Sequence, residues 1–353
     1  MRGDRRAFGV GLLVAAIAVA TVAVATVPMD IGFSRGRDSV DEPFVSALRC
    51  GVCHAEQLEQ WSGSRHAVSH SNALYTQGYI DEPLTFCVNC HSPLAEQVAE
   101  VVANRSWYLS QRRRPDLVAE RSPEPMADEG ITCVVCHERA GDIVHSSDSG
   151  RSPHQVRVEP DFATGALCGN CHEFEMFAAS GSGLRFTGEL MQATLTEWQA
   201  WRDAGGKEQC QDCHMPQGSH VFRGVHDQEW LRESVDVRTR AGLLRIRSVG
   251  VGHRLPTGDL FRNMTVEVDT GSGFRTLHRM GRTYRSETLD GEVVKVIATD
   301  TALEPGEWRQ VELPEGPLDW RVRYHYGSPF DEARGHLSPD QLVTVIAEGQ
   351  QRR

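Results

Sequence analysis

All ten cysteines of this chain occur in one repeated motif, Cys-x-x-Cys-His, and no cysteine lies outside it. Two thiols three positions apart can add to the two vinyl groups of one haem, and the histidine that follows is placed to bind the iron. The motif is typical of c-type haem attachment, and its five copies predict five covalently attached haems c. The motifs are Cys50/Cys53/His54, Cys87/Cys90/His91, Cys133/Cys136/His137, Cys168/Cys171/His172 and Cys210/Cys213/His214.

The same thiol spacing also occurs in structural zinc sites and in redox dithiols. Zinc sites built from such pairs would not require a histidine after every second cysteine. A redox dithiol would not need five copies of the motif. The repetition therefore favours haem over zinc and over a framework of disulfides.

The spacing of the motifs also constrains the fold. Successive motifs begin 35 to 46 residues apart, so only about forty residues accompany each haem. A segment of that length cannot build a substantial apolar core by itself. We therefore expect the haems to supply much of the core, with short helices and loops around them. Neighbouring haems should then lie close together.

The cysteines end at residue 213, and the last 140 residues contain none. This asymmetry predicts a pentahaem cytochrome c domain over residues 40–230 and a haem-free domain over residues 231–350. In the second part, alternating runs such as 243–247 are separated by Gly, Asp and Pro turns, which is typical of strands. The predicted fold class is α+β, with a haem-cored, mostly helical and loop-rich domain followed by a small antiparallel β-sandwich.

Two helices are predicted beside the haem motifs. Residues 55–73 place Leu58, Trp61 and His66 near helical spacing, which would direct His66 back at a haem. Residues 188–204 show a similar apolar pattern before two glycines.

Each haem iron keeps one axial position after the motif histidine has bound. Ten histidines lie outside the motifs, which is enough to give every haem two histidine ligands. For the last of the five distal positions, His226 competes with His145 and His70. Methionine is the other candidate ligand, but with histidine in surplus core packing explains the methionines better. The predicted distal ligands are His66, His154, His220, His253 and His226.

The first 29 residues predict export. A basic start, Met-Arg-Gly-Asp-Arg-Arg, precedes an uncharged run from Ala7 to Met29 that is rich in Ala, Val and Leu. Residues 1–29 therefore indicate either a signal peptide or an N-terminal membrane anchor. Haem is attached to apocytochromes c outside the cytoplasmic membrane, so a location in the periplasm or cell envelope agrees with the motifs.

The net charge of the chain is −11. Nucleic-acid binding usually requires a basic patch, so this charge gives no reason to expect it. Acidic redox proteins often meet their partners through complementary charge and transient contact. We expect redox partner proteins, one electron donor and one electron acceptor.

Two stretches of the chain resemble a known family. One runs from Cys50 to His66 and includes the pattern Trp-x-x-Ser-x-His, and the other runs from Cys210 through His220 to His226. Both resemble the multihaem cytochromes c related to the tetrahaem cytochrome that accepts electrons from hydroxylamine oxidoreductase. The resemblance implies that His66 and His220 are distal ligands.

The resemblance covers residues 45–265 in patches. Within it, the segment Gly252 to Gly258, with Arg262 downstream, is similar to a signature that opens a β domain in some larger multihaem cytochromes. This chain departs from the tetrahaem pattern by carrying five sites and a C-terminal domain. The haem order of the tetrahaem protein therefore cannot be transferred whole.

Two classes of function remain. The first is an electron carrier in which every haem has two histidine ligands. The alternative is a multihaem reductase in which one haem keeps an open position for a small nitrogen or sulfur oxyanion. All five motifs end in histidine, whereas some related reductases have lysine at that position. The sequence therefore favours electron transfer.

Overall fold

The computed structural model describes residues 46–111, 124–148, 150, 152–180, 183–289, 291–328 and 337–352. Within these residues, the first part is mainly helical and the last part is mainly β-strand. This mixed α+β content agrees with the prediction. Residues 1–29, the predicted signal peptide or anchor, lie outside the described residues. None of the described helices has the length and apolar composition needed to cross a bilayer.

Short helices carry the haem-attachment motifs. Four motifs lie in helices that end at the motif histidine, and the first begins in α1. Residues three and four apart share one face of a helix, so in those four helices both thiols and the histidine point to the same side. The helices are α1 (Ala47–Gly51), α2 (Ala55–Ser62), α3 (Ala73–Asp81), α4 (Thr85–His91), α5 (Ala95–Ala103), α6 (Arg105–Gln111), α7 (Cys133–His137), α8 (Gly165–His172), α9 (Thr194–Asp203), α10 (Cys210–His214), α11 (Gln228–Glu233) and α12 (Pro339–Leu342).

The helix predicted over residues 55–73 is shorter than expected. Helix α2 ends at Ser62, and His66 lies in the turns that lead to α3. Ser64 provides a reason, because its buried hydroxyl accepts a hydrogen bond from the Ala67 amide at 3.3 Å. A serine side chain that binds nearby backbone in this way competes with helix formation.

Five strands lie among the haem motifs: β1 (Glu138–Arg139), β2 (Asp142–His145), β3 (Val156–Val158), β4 (Glu173–Ser180) and β5 (Gly183–Ala193). Residues 188–193, predicted as helix, belong to β5, which pairs antiparallel with β4. Tertiary packing explains the difference. Phe174 and Phe177 of β4 and Phe186 of β5 surround Phe86, with ring centres 4.5 to 6.1 Å apart. The predicted helix begins only at Thr194, as α9.

The last part of the chain forms two antiparallel sheets. One has the strand order β10-β9-β8-β12-β13, and the other has the order β11-β7-β6. The strands are β6 (Val235–Arg240), β7 (Leu243–Ser248), β8 (Asn263–Asp269), β9 (Arg275–Leu289), β10 (Glu292–Asp300), β11 (Arg309–Glu312), β12 (Leu318–His325) and β13 (Val343–Gln351).

One apolar cluster contains side chains from both sheets. Leu244 and Ile246 of β7, Met264 and Val266 of β8 and Val322 of β12 have no exposed surface. Strand β7 alternates between buried and half-buried residues, as expected for a strand with one face on a core. Helices α2, α9 and α10, by contrast, bury no residue. Among the described residues, the largest buried apolar cluster is therefore in the β-sheets, and a smaller one around Tyr79, Ile80 and Tyr108 lies in the helical part.

A buried ion pair connects helix α9 to the sheets. Arg282 on β9 donates from Nη2 to Glu197 Oε1 at 2.9 Å, and their side chains are 13% and 6% exposed. Thr257 donates its hydroxyl to the other Glu197 oxygen at 2.6 Å. Trp201 of α9 packs so tightly on Gly252 that a Cβ there would lie 2.9 Å from the indole. These contacts fix the loop between β7 and β8 against the haem-bearing part of the chain.

Candidate functional site

The ten motif cysteines are free thiols, and contacts between them bring different motifs together. For example, a hydrogen bond from the Cys133 thiol is the main reason why the pKa of Cys50 falls to about 6. In the described part of the chain, no three His, Cys, Asp or Glu side chains converge to hold a bare metal ion. The contacting thiol pairs are Cys50/Cys133, Cys90/Cys171 and Cys168/Cys210.

One motif cysteine lies at the surface. Cys53 is exposed, whereas the other nine motif cysteines are half-buried. If the haems form much of the core, the thiols that bind them should lie in the interior, and Cys53 does not. The reason is local, because α1 ends at Gly51 and Cys53 lies in the turn that follows, next to the exposed Val52.

The turn nevertheless keeps the first motif together. The amides of Cys53 and His54 both donate to the Cys50 carbonyl, at 3.2 and 3.0 Å. The backbone from Cys50 to His54 therefore still forms one helical turn. The role of Cys53 as a haem-binding thiol stays a prediction.

The thiol contacts define which motifs are neighbours. The first motif lies beside the third, the second beside the fourth, and the fourth beside the fifth. Helix packing agrees, because α1 contacts α7 and α8 contacts α10. These contacts join the motifs in two groups, the first with the third and the second with the fourth and fifth.

Imidazole rings provide a test of whether the residues fit a haem. A bond from a metal to an imidazole nitrogen is about 2.0–2.1 Å, and that nitrogen lies about 1.1 Å from the ring centre. Two imidazoles on opposite sides of one iron should therefore have ring centres about 6.2–6.4 Å apart. In this structure, the ring centres of four motif histidines lie 6.0 to 6.4 Å from that of a second histidine, within about 0.2 Å of the expected separation. These residues fit a six-coordinate haem iron.

The four pairs involve four of the five predicted distal ligands. The motif histidine is given first: His54/His154 (6.3 Å), His172/His66 (6.4 Å), His137/His220 (6.0 Å) and His214/His253 (6.2 Å). Each pair joins residues that are distant in the sequence. His253 comes from the loop between β7 and β8, so the β-sheets supply one member of a pair.

Backbone carbonyl groups orient several of these rings. A hydrogen bond at Nδ1 leaves Nε2 free to bind a metal. Burial is also the main cause that lowers the pKa of His66 to about 3 and that of His253 to about 4. Both rings are then neutral near pH 7, which is the form that binds metals. The Nδ1 to carbonyl contacts are His91/Ser69 (2.7 Å), His137/Val144 (3.2 Å), His214/Arg223 (2.5 Å) and His253/Arg254 (2.8 Å).

The Trp-x-x-Ser-x-His stretch is anchored to a distant segment of the chain. The Trp61 indole donates to the Ile131 carbonyl at 2.7 Å, and the Ile131 amide donates to the His66 carbonyl at 3.0 Å. Gly130 has φ +59°, and a Cβ there would lie 2.5 Å from the same carbonyl. These contacts explain how His66 can be held in position without a helix.

The ring of His137 faces two histidines. His220 lies 6.0 Å away and His145 lies 6.1 Å away. His220 is half-buried, and its amide donates to the Gln60 side chain on α2 at 2.7 Å. His145 is exposed, and its Nδ1 is 3.1 Å from the Ser147 amide. The structure thus places His145, which the sequence considers for the fifth position, beside the third motif.

His91 has different surroundings. Its ring stacks on Tyr75 at 4.0 Å with an interplanar angle of 19°. Among the described histidines, none faces His91 in the way seen in the four pairs, and His336 lies outside the described residues. The sequence does not single out Tyr75, because no motif marks it and its position depends on how α3 packs beside α4.

The other candidates for the fifth distal position have partners of their own. His70 is buried, and its Nε2 lies 2.9 Å from a Glu124 carboxylate oxygen. His226 stacks on Tyr326 at 4.4 Å, and its Nε2 is 3.5 Å from Arg65 Nη2. The structure therefore brings His226 to Arg65 rather than to His91.

Comparison with known proteins identifies the fold. No protein-family model matches the sequence, and no curated protein matches it. The structure is similar to the crystal structure of a penta-heme cytochrome c552 from Thermochromatium tepidum, with a TM-score of 0.59 and 19% sequence identity. The similarity covers 88% of this chain and 100% of that chain. The chain thus has the fold of a multihaem c-type cytochrome.

Proposed function

We propose that this chain is a pentahaem c-type cytochrome that transfers electrons through a closely packed haem array. The observation that carries the proposal is the set of four histidine pairs, whose ring centres lie within about 0.2 Å of the separation that two ligands of one iron require. A haem with two histidine ligands has no free position for a substrate. Such a haem can exchange electrons but cannot bind a small molecule at its iron without losing a ligand.

Five haems c would supply one-electron redox chemistry to this fold. The ten motif cysteines would hold them covalently, and the five motif histidines would be the proximal ligands. His66, His154, His220 and His253 are the distal ligands that we propose for four of the haems.

The thiol contacts support a continuous electron path. They place the fourth motif beside both the second and the fifth, through Cys171 and Cys168. The first and third motifs form a second contact, through Cys50 and Cys133. Cys136 of the third motif also raises the pKa of Cys168, after larger effects of Cys210 and burial, so the two groups of motifs are near each other.

The cellular setting is part of the proposal. Haem attachment outside the cytoplasmic membrane and the basic, then apolar, start of the chain support a place in the periplasm or cell envelope. Membrane anchoring through residues 1–29 is the alternative to cleavage of that segment. The partners would be an electron donor and an electron acceptor that meet an acidic surface through complementary charge.

The test of the proposal is spectroscopic and uses the purified holoprotein. We expect five covalent haems per chain, low-spin ferric spectra in the oxidised protein, and no binding of carbon monoxide after reduction or of nitrite before it. Fewer than five haems would contradict the cofactor count. A stoichiometric high-spin haem would contradict the carrier function.

A reductase with one open haem is the second candidate, and the surroundings of His91 favour a specific test of it. This ring stacks on Tyr75, whereas the other four motif histidines face a histidine. If carbon monoxide binds one haem per chain in the wild-type protein and the second motif holds that haem, His91→Ala should change the absorption spectrum of the carbon monoxide complex, because the substitution removes the proposed proximal ligand. Binding that persists unchanged in this variant would place the open position elsewhere.

A further inference from the structure

A cluster of arginines lies on the outer face of the sheet formed by β11, β7 and β6. Strand β7 buries every second residue, which leaves Arg245 and Arg247 on the face that points away from the core. In the antiparallel register, Arg238 of β6 is directly opposite Arg245, and Asp236 is directly opposite Arg247. Residues that are directly opposite each other share one face of a sheet. Three arginines and one aspartate are therefore neighbours on this outer face.

The three guanidinium groups converge on one indole ring. Trp308 directly precedes β11 and is half-buried. The Cζ atoms of Arg245 and Arg247 each lie 4.6 Å from the centre of this ring, and that of Arg238 lies 5.2 Å from it. Separations below about 6 Å are those of cation–π contacts. Stacking occupies the flat face of a guanidinium group and leaves the donors in its plane available to a ligand.

Hydrogen bonds connect two of the three arginines to the same carboxylate. Arg238 donates to both oxygens of Asp236, at 3.0 and 2.7 Å, and Arg247 donates to one of those oxygens, at 3.3 and 3.2 Å. Arg245 Nε is buried and has no hydrogen-bond partner among the described residues. Like charges directly opposite each other on neighbouring strands are destabilising. Asp236 therefore offsets only part of the repulsion between Arg238 and Arg245.

The charge of this face is opposite to that of the whole chain. Exposed Arg240 of β6 and exposed Glu312 of β11 lie on either side of Leu243, next along the same face. The face thus carries four arginines against two carboxylates, those of Asp236 and Glu312. The chain as a whole has a net charge of −11. A positive surface on an acidic protein is suited to a partner of negative charge.

We propose that this arginine face, formed by Arg238, Arg240, Arg245 and Arg247 around Trp308, docks an acidic protein partner through clustered aspartate and glutamate side chains. Arginine and tryptophan are enriched at protein interfaces and often contribute most of the binding energy there. The planar donors of arginine also match the two oxygens of a carboxylate. Carboxylates of the partner would offset the repulsion between the arginines. The inference does not rest on the proposed function, because no haem takes part in it.

Two other occupants fit the face less well. A symmetric dimer joins the same patch of both subunits, which would bring the arginines of two copies together. Membrane-binding helices place their aromatic side chains in the lipid interface. Here three guanidinium groups lie over the Trp308 ring instead.

The experiment measures the binding of a polyglutamate peptide to the holoprotein by isothermal titration calorimetry at low ionic strength. We expect the wild type to bind the peptide and added salt to weaken the binding, because the contact is electrostatic. Arg245→Gln and Arg238→Gln should each weaken binding by about two- to fivefold, as expected for the loss of one charge pair near the surface. The double substitution Arg238→Glu and Arg245→Glu should weaken it by more than about tenfold, because it introduces like charges.

Arg285→Gln is the matched control. Arg285 on β9 is 54% exposed and pairs with Glu287 two residues away, just as Arg238 is 62% exposed and pairs with Asp236 two residues away. Both substitutions remove one positive charge from an exposed strand position, so a simple effect of net charge would be equal in the two variants. We expect Arg285→Gln to bind like the wild type.

The proposal is overturned if the wild type does not bind polyglutamate, or if Arg238→Gln and Arg285→Gln bind it equally well. Since Arg245 packs on Trp308, Arg238→Gln carries the test alone if Arg245→Gln does not fold. Binding of phosphatidylglycerol vesicles that is lost in Arg238→Gln, without binding of polyglutamate, would assign the face to a membrane surface. Self-association in sedimentation velocity that is lost in Arg238→Gln would assign it to a second copy of the chain.

Discussion

Replacing His253 with alanine tests the contribution of the β-sheets to haem coordination. The His253 ring lies 6.2 Å from that of His214 with an interplanar angle of 10°, and its Nδ1 is 2.8 Å from the Arg254 carbonyl. This hydrogen bond directs Nε2 away from the backbone and towards the pair. The substitution removes the distal ligand that we propose for this haem and leaves Cys210, Cys213 and His214 of the fifth motif in place.

The expected magnitude follows from the number of motifs. One haem of five should lose its distal ligand, so the high-spin fraction should rise by one fifth above the wild-type level. Covalent haem content should stay at five per chain, because the thioether bonds and His214 are unchanged. After reduction, the variant should bind one carbon monoxide more per chain than the wild type does.

The assay combines quantitative electron paramagnetic resonance with a carbon monoxide titration. The control is His278→Ala, since His278 lies on β9 and its ring faces no motif histidine in the described structure. Spectra of His253→Ala that match the wild type would refute the assignment. An equal change in His278→Ala would show that the effect comes from general loosening of the sheets.

Three further predictions follow from the same structure. His66→Ala should also make one haem in five high-spin, measured in the same way; an unchanged spectrum would remove it from the ligand set. His220→Ala should raise the high-spin fraction while His145→Ala should not, because His220 is the more buried of the two histidines that face the third motif; the reverse result would exchange their roles. Arg282→Ala should lower the free energy of unfolding by about 3–5 kcal/mol, because it leaves a buried carboxylate unpaired. Denaturant titration should show a loss below about 1 kcal/mol for the exposed control Arg285→Ala, and equal losses would contradict this reasoning.

The candidate site could be predicted in part because its attachment motifs are local. Cys-x-x-Cys-His places three chemical groups within five residues, and any helical turn brings them to one side. The structure puts those motifs at or beside helix ends. The motif does not predict how deeply each thiol is buried: Cys53 is exposed, whereas the other nine motif cysteines are half-buried. The helix over residues 55–73 was wrong beyond Ser62, because the Ser64 hydroxyl binds nearby backbone instead.

The helix predicted over residues 188–204 was wrong for its first six residues, for a reason that lies outside the local sequence. Its apolar spacing fits a helix, but the first six residues belong to β5, which pairs with β4 beside a cluster of phenylalanines. Pairing with a neighbouring strand satisfies the backbone as well as a helix does, so packing decides between them. No local pattern reports that packing.

The sequence by itself determined the number of Cys-x-x-Cys-His motifs, the histidine that ends each of them and the mixed α+β content. These follow from residues that are adjacent in the chain or from patterns that repeat within it. Only the tertiary structure decided which histidines face each other, that His253 reaches the fifth motif, and that His226 lies against Arg65. The physical reason is that the positions of the imidazole rings depend on long-range packing rather than on local spacing. Examples are the buried ion pair of Glu197 and Arg282 and the hydrogen bond from Trp61 to Ile131.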